Sequence, residues 1–449
     1  MKKIVTFLAT SLLAAVSMNA QSFQSALFLD GYRLGYRYNP ALQNENSFLS
    51  VGQLERQTRN NVGAASFLYP RGEELVTALH SSVSAQEFLG SLKDNNTMGG
   101  SLNYSLFSYG WRKGASYQTA EVGVRAAYKT NVPKDIFSIL KLGTGETNYD
   151  LGGLGLNGNL MVELAYGYSH KLADWVSVGA RAKLLLGINS LDYTVTRMDV
   201  YMAEDKYKLD LEARLDLTSR LSKIHADEEG YLDLSKLSQK DRWKLPSGVG
   251  LAVDLGAVFT PAEGLTMSVS LLDSGGVFWY FGNAGKSQGS VTFSVMDCLT
   301  MEDLREGNFR SRFDDELSAL LSSLKIKELK SRTSLEMIPF HVNGGIRYDL
   351  PFYRALSIGA TGNYLHMSGF TYAEGRGALA WNPRKWLGIT LNGGVGTYGP
   401  VWGAALNAAV WKFRLTLGYC DGFGGTIPYT STPLKPNNKA VTLGLTFDL

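Results

Sequence analysis

A chain of 449 residues with 44 Lys and Arg against 41 Asp and Glu has a formal net charge of +3, which gives nucleic-acid binding no compositional support. Gly is abundant at 49, aromatics reach 11% and Pro is scarce at 12, and no Pro- or Ser-rich linker marks off the two or three soluble domains this length would otherwise suggest. The two cysteines, Cys298 and Cys420, lie far apart, are too few for a disulfide framework and read as unpaired thiols.

The chain opens on Met1-Lys2-Lys3, continues through an apolar stretch, and offers a small residue at Ala20 before Gln21. This is the layout of a secretory signal peptide over residues 1–20. The apolar stretch is too short to span a bilayer, and no later run approaches the roughly 20 residues a spanning helix needs. No Cys follows it, which argues against a lipoprotein anchor. At Ser84-Ala85-Gln86-Glu87, before Phe88 and Leu89, Ser followed by Glu three residues later outlines a capping box and predicts a helix.

From residue 117 onward the dominant signal is alternation. In 160–170, Leu160, Val162, Leu164, Tyr166 and Tyr168 share one face. In 176–188, Val176, Val178, Ala180, Ala182, Leu184, Leu186 and Ile188 oppose Ser177, Gly179, Arg181 and Lys183. The same period recurs in 117–129, 206–217, 249–260, 265–271, 342–350, 355–366, 386–397, 402–422 and 439–449. Side chains of a strand alternate between faces, so each segment is a strand with an oily and a polar face. Several reach lengths suited to a tilted transmembrane strand of about 9 to 11 residues rather than a globular one of about 5 to 6. Trp111, Trp175, Trp381, Trp386, Trp402 and Trp411 fall at or near strand ends, where membrane barrels carry aromatic girdles.

If the oily faces meet lipid, the charged faces line a lumen. Glu121, Arg125, Glu163, Arg181, Lys183, Lys208, Asp210, Glu212, Arg214, Asp254, Arg347 and Asp349 then point inward. Both signs occur in similar numbers, which favours a plugged, salt-bridged interior over an ion-selective pore, because selectivity needs a ring of one sign. Residues 219–245 read as a solvated loop, and Asp227 to Gly230 lacks the alternating oxygen ligands of a calcium loop. Phe313, Leu317, Leu320, Leu321 and Leu324 recur at helical spacing, either a helix packed on the rim or a lid or partner-docking helix.

Nucleotide and catalytic motifs fail on context. Gly153 to Gly158 and Gly394 to Gly399 both fit GxGxxG, yet neither opens a helix. Gly285-Lys286-Ser287 lacks the first Gly of a phosphate loop, since Tyr280 holds that position. The five histidines, His80, His170, His225, His341 and His366, show no metal-ligand spacing, and nothing local orients His341 or His366 as a base. No metal, cofactor or catalytic residue is expected, and the chain is read as a non-enzyme.

Several segments carry a resemblance. Thr442, Gly444, Phe447 and Leu449 resemble the C-terminal signal of bacterial outer-membrane barrels, which implies insertion by the barrel-assembly machinery. Arg37 to Leu42 (R-Y-N-P-A-L) resembles the N-P-A segment ahead of the barrel in long-chain fatty-acid transporter-like outer-membrane proteins. Ser84 to Leu92, Val178 to Asn189, Ser247 to Phe259 and Gln21 are similar to a branch of that superfamily in the Bacteroidota. The resemblance implies an all-β transmembrane antiparallel barrel of about 14 strands. Residues 21–46 would form an N-terminal plug with Asn39, Pro40 and Ala41 as its gate. Residues 47–449 would form the barrel, with long loops near 219–245 and 298–330. The function implied is passive uptake of a hydrophobic or amphipathic small molecule across the outer membrane, in contact with outer-membrane lipid. Relatives include a secretion component, so a scaffold docking secretion or surface-assembly partners is the alternative, and a barrel lipid hydrolase the third reading.

Overall fold

The computed structural model describes residues 24–72, 74–142, 147–202, 206–219, 223–226, 232–238, 246–280, 282–294, 327–329, 333–367, 370–422 and 435–449. The signal-peptide reading of 1–20 and the helix expected over 313–324 lie outside them, as does Cys298.

Fourteen strands form a closed antiparallel ring. In chain order they are β1 (Phe48–Asn60), β2 (Asn95–Lys113), β3 (Ser116–Pro133), β4 (Gly155–Ala173) and β5 (Val176–Met202). There follow β6 (Gly248–Ala262), β7 (Leu265–Trp279), β8 (Phe340–Asp349), β9 (Leu356–Met367) and β10 (Phe370–Arg384). The last four are β11 (Leu387–Gly396), β12 (Gly399–Val410), β13 (Phe413–Gly422) and β14 (Asn437–Asp448). Each pairs with the next, and β14 returns to β1 in a register running from Phe48 opposite Asp448 to Asn60 opposite Asn437. Closure leaves no edge in the ring, so wall amides and carbonyls pair within it, as a hydrocarbon surround requires.

Burial is inverted relative to a soluble protein. Leu251, Leu255, Val269, Leu391 and Leu445 are exposed on the outside, whereas Asp254, Asn343, Thr390 and Asn407 are fully buried inside. The oily face of each strand therefore turns outward. Trp175, Trp381, Trp386 and Trp411 ring the end with short turns, and Trp402, Tyr419 and Tyr364 lie toward the other end. From Trp402 to Val410 the wall rises about 20 Å at ~3.4 Å per residue and ~40° tilt, close to the apolar band of a membrane barrel. No described helix is long and apolar enough to cross a membrane.

The two ends differ. Both termini of the ring and the short turns share one end. At the other, the β1–β2 connection carries a hairpin (Leu68–Arg71 with Glu74–Thr77) and helix α1 (Ala85–Gly90). The Ser84 hydroxyl caps α1 by accepting the Glu87 N–H, as the capping box predicts. Helix α2 (Lys134–Leu142) follows β3, and its Phe137 packs with Phe67 and Phe88.

Two expectations need correction. Strand β5 is 27 residues long and outruns the wall: its first part pairs with β6, while Asn189 onward pairs with an added strand, Lys206–Ser219. Asp210, Glu212 and Arg214 sit on that added strand, outside the closed ring, because their alternation continues after the sheet has left the barrel. Within 219–245, read as a loop, Lys223–Ala226 pairs with Leu232–Ser238.

Leu443 points outward between the two aromatic belts. Replacing it with Arg is expected to cost ~2–4 kcal/mol, the range for a cation near the bilayer midplane. Guanidinium titration of liposome-refolded protein, followed by heat-modifiable gel migration, checks this.

Candidate functional site

The lumen is organised in layers. At the short-turn end it is filled by residues 24–47, a segment outside the wall that coils through 3-10 turns at Gln24–Leu27 and Gly35–Arg37. Leu27, Phe28, Leu29, Tyr32, Leu34, Tyr36 and Tyr38 are buried in one cluster with the wall residues Phe48, Tyr117, Ala380 and Ala405.

Space for this plug comes from bare wall positions. Gly179 of β5 and Gly256 of β6 are direct cross-strand partners, and both face the Asn39–Ala41 segment. A Cβ on Gly179 would collide with the Pro40 carbonyl and the Ala41 nitrogen, and one on Gly256 with the Asn39 amide. Asn39 is fully buried. Its Nδ2 lies 2.8 Å from Ser268 Oγ and 3.0 Å from the carbonyls of Ala257 and Val269. Its Oδ1 accepts the Ala41 N–H at 2.8 Å, closing a local turn.

Ion pairs tie plug to wall. Arg33 makes a two-pronged contact with Asp448, at 2.6 and 2.9 Å. Asp30 accepts from Arg347 at 2.7 Å, and Arg347 also reaches Asp349 at 2.8 Å. Arg37 lies 3.4 Å from Glu55 and 3.6 Å from Glu121. Burial opposes the charge on Arg37, yet these two carboxylates outweigh it and hold the guanidinium above its ordinary pKa. Burial, reinforced by Glu121, raises the Tyr36 phenol, so it stays protonated and donates to Glu121 at 2.8 Å. Of the C-terminal residues, Gly444 faces Leu34 of the plug, whereas Phe447 turns outward to stack edge-on against Phe413, and Leu449 is exposed.

Above the plug lies a buried charge layer. Arg181 bridges Glu121 at 2.8 Å and Glu163 at 3.2 Å, with Asp254 at 3.5 Å. Arg125 joins Glu163 at 3.0 Å to Asp273 at 2.6 Å, and Lys183 joins Asp273 at 2.5 Å to Asp254 at 2.7 Å. Residues from β3, β4, β5, β6 and β7 thus share one network, which buried charges require.

Asp273 was not legible as a lumen residue. Strict alternation from Met267, Val269 and Leu271 puts it on the oily face. A bulge in β7 near Leu272 shifts the register, and Asp273 adopts a left-handed backbone, φ 62°. This turns the carboxylate inward, where Arg125 and Lys183 meet it, and its N–H donates to Asp254 at 2.7 Å. A lone acid on an otherwise oily face, followed by Ser-Gly-Gly, is the sequence signal of such a bulge.

Toward the long-loop end is a cavity of about 80 Å³ lined by Arg59, Asn103, Arg125, Lys129, His341 and Met161, among others. Beside it, Glu374 accepts from Tyr372 at 2.8 Å and Arg376 at 2.9 Å, and Cys420 Sγ accepts from Arg376 at 2.8 Å. His366 lies away from this cavity, its ring 5.4 Å from Phe340. Among the described residues no cluster of His, Cys, Asp or Glu could hold a metal. The GxGxxG stretches fall at the start of β4 and the β11–β12 turn, where no helix follows.

Asp273→Ala strips the shared partner from Arg125 and Lys183 and is expected to cost ~3–5 kcal/mol, the range for breaking a buried pair. Denaturant titration checks this, with Asp174→Ala at an exposed turn expected to leave the midpoint in place.

No curated protein matches the chain. Among solved structures it is similar to the toluene transporter TbuX of Ralstonia pickettii, at 9% identity over 96% of this chain and 98% of that one, with a TM-score of 0.46. It is similar to the toluene transporter TodX of Pseudomonas putida at 7% identity over 96% of each chain, TM-score 0.41. It also resembles a Pseudomonas aeruginosa FadL homologue at 12% identity over 96% and 98%, TM-score 0.41. Residues 40–419, most of the wall and the last residues of the plug before β1, match a single family model, and the chain belongs to the family described as "Family of unknown function (DUF5723)".

Proposed function

We propose that this protein is an outer-membrane barrel for passive uptake of small hydrophobic or amphipathic molecules, with residues 24–47 as its gate. One observation carries the reading: the lumen is closed by a segment outside the wall, held through contacts that can dissociate. These are the Arg33–Asp448, Asp30–Arg347 and Arg37–Glu55 pairs and the seat of the Asn39–Ala41 turn on two glycines. A barrel serving only as a wall could fill its lumen with its own side chains.

The charge layer sets the gate's resting state. Arg37 supplies a cation to Glu55 and Glu121, so withdrawing the plug leaves two buried carboxylates short of a partner. Closure is thereby favoured without an energy source. The apolar belt faces outer-membrane lipid, the barrel-assembly machinery inserts the ring, and no catalytic step is assigned.

The sheet that β5 carries beyond the ring, through Lys206–Ser219 to Gly282–Ser294, favours a second reading as a scaffold for secretion or surface-assembly proteins. A partner lost on deleting 206–219, with uptake absent, would support it.

An added Cβ at Gly444 meets the tip of the Leu34 side chain, Cδ1, at an ordinary 3.5 Å, so thiols of Leu34→Cys and Gly444→Cys lie within reach of a short bis-methanethiosulfonate that ties plug to wall. In a background of Cys298→Ser and Cys420→Ser, liposome uptake of labelled fatty acid is expected to stop on cross-linking and return with reductant. Deletion of 24–46 is expected to raise uptake. No uptake by wild type or deletion sinks the transport reading for that substrate.

A further inference from the structure

The outer surface of the wall carries two cations that neither the plug nor the lumen uses. Where β14, β1, β2 and β3 lie side by side, Lys439 pairs with Thr58, Thr58 with Gly100, and Gly100 with Tyr128. One step lower, Val441 pairs with Arg56, Arg56 with Leu102, and Leu102 with Ala126. Gln57, Arg59, Asn438 and Ala440 alternate with these residues and are buried in the lumen, so both rows face outward.

Register fixes their depth. Phe447 belongs to the aromatic belt of the short-turn end, and Lys439 lies eight positions away along β14, a rise of ~20 Å at ~3.4 Å per residue and ~40° tilt. Tyr419 of the opposite belt pairs with Val441, in the row of Arg56. Long loops of bacterial barrels face the cell exterior, so the two cations stand at the headgroup boundary of the outer leaflet.

Both lack an anion. Among the described residues neither Arg56 nor Lys439 lies within 4 Å of a carboxylate, whereas Arg33, Arg125, Arg347 and Arg376 each do. The Lys439 ammonium rests 5.6 Å from the centroid of the Tyr419 ring. Arg56 Nε is covered and has no hydrogen-bond partner among the described residues. Asp421, on the same face, is engaged by the Tyr419 hydroxyl at 2.6 Å. A cation on a lipid-facing wall is costly unless its charged end reaches water or an anion.

The surroundings have the shape of a headgroup seat. Only Thr58 and Gly100, both small, separate Lys439 from Tyr128 in the upper row, so the surface dips between them. Arg56 enters the dip from below. Under it Leu443, Leu445 and Val51 continue the oily face toward the bilayer centre.

We propose that Arg56 and Lys439 hold the phosphate of an outer-leaflet lipid over Thr58 and Gly100, with its acyl chains lying down the β14–β1 wall. The Arg fork matches two phosphate oxygens, and Lys439 adds a point charge. A soluble protein partner would meet the long loops, which stand above this level. The lipid would bridge β14 and β1, the two strands whose pairing closes the ring.

Native mass spectrometry of the purified full-length protein in neutral detergent tests this. The probes are dioleoyl phosphatidic acid and dioleoylglycerol, which differ only in the phosphate, with inorganic phosphate as competitor. Phosphatidic acid is expected to bind about tenfold or more tighter than dioleoylglycerol, and Arg56→Gln with Lys439→Gln is expected to abolish that preference. Lys412→Gln, at the short-turn belt beside Phe447, is expected to keep it. Heat-modifiable gel migration reports folding. Where the double variant does not fold, Lys439→Gln alone is expected to weaken phosphatidic acid binding about fivefold, the scale of one basic residue at a charged lipid surface. Equal binding of the two lipids, a preference unchanged in the folded variants, or displacement of the lipid by an equal concentration of inorganic phosphate overturns the proposal. Binding is read without flux, so its failure and that of the uptake reading are separate results.

Discussion

Backbone amides and carbonyls cannot remain unpaired in hydrocarbon, and most of this molecule follows from how the chain meets that constraint. Fourteen strands satisfy it by closing on themselves, β14 onto β1. Closure forces a choice of faces, because period-two side chains must look either into lipid or into the lumen. The oily faces go out. The charges that would decorate a soluble protein are thereby driven inward, where they must find one another. Arg181, Lys183, Glu163 and Asp254 are neighbours because their strands are, and the network is the geometric consequence of the ring.

The inward charges in turn explain the plug. A lumen lined by paired ions still has to be filled or hydrated, and here the short-turn half is filled by a separate segment. Its aromatic side pairs with the small residues of the wall, and its polar side completes the ion pairs. Arg37 completes the network from within, and Arg33 and Asp30 clamp the rim. Removing charge from either partner therefore disturbs both the wall and the seating of the plug. The Asn39–Ala41 turn lies where β5 and β6 present two opposed glycines, so the fit is of shape as well as charge.

Much of this was written in the sequence, and the exceptions have physical causes. Alternation in 176–188 and 439–449 exposes the oily face directly, and the placement of Trp175, Trp402 and Trp411 follows from it. β1 and β2 were harder to see. Gly52 has φ 76° at a register shift in β1, and β2 shifts between Ser105 and Phe107, so neither keeps period two. The outward face of β1 also carries Arg56 and Thr58, which hides the pattern that would have marked Glu55 and Arg59 as inward. Asp273 escaped for the same reason, a bulge. Glu212 and Arg214 were placed in the lumen because alternation persists where β5 leaves the wall, and one-dimensional periodicity cannot tell a barrel strand from its extension. Shape complementarity was invisible too: nothing in Gly179 or Gly256 alone announces that Pro40 lies against them.

The Arg33–Asp448 clamp joins residues 415 positions apart. A contact of that span carries the loop-closure entropy of almost the whole chain and forms only when its intervening strands are ordered. Arg33 belongs to the seated plug and Asp448 to the strand that closes the ring onto β1, so the clamp needs both in place. In that sense Asp448 reports completion: its salt bridge exists only in a molecule whose ring has closed around its plug.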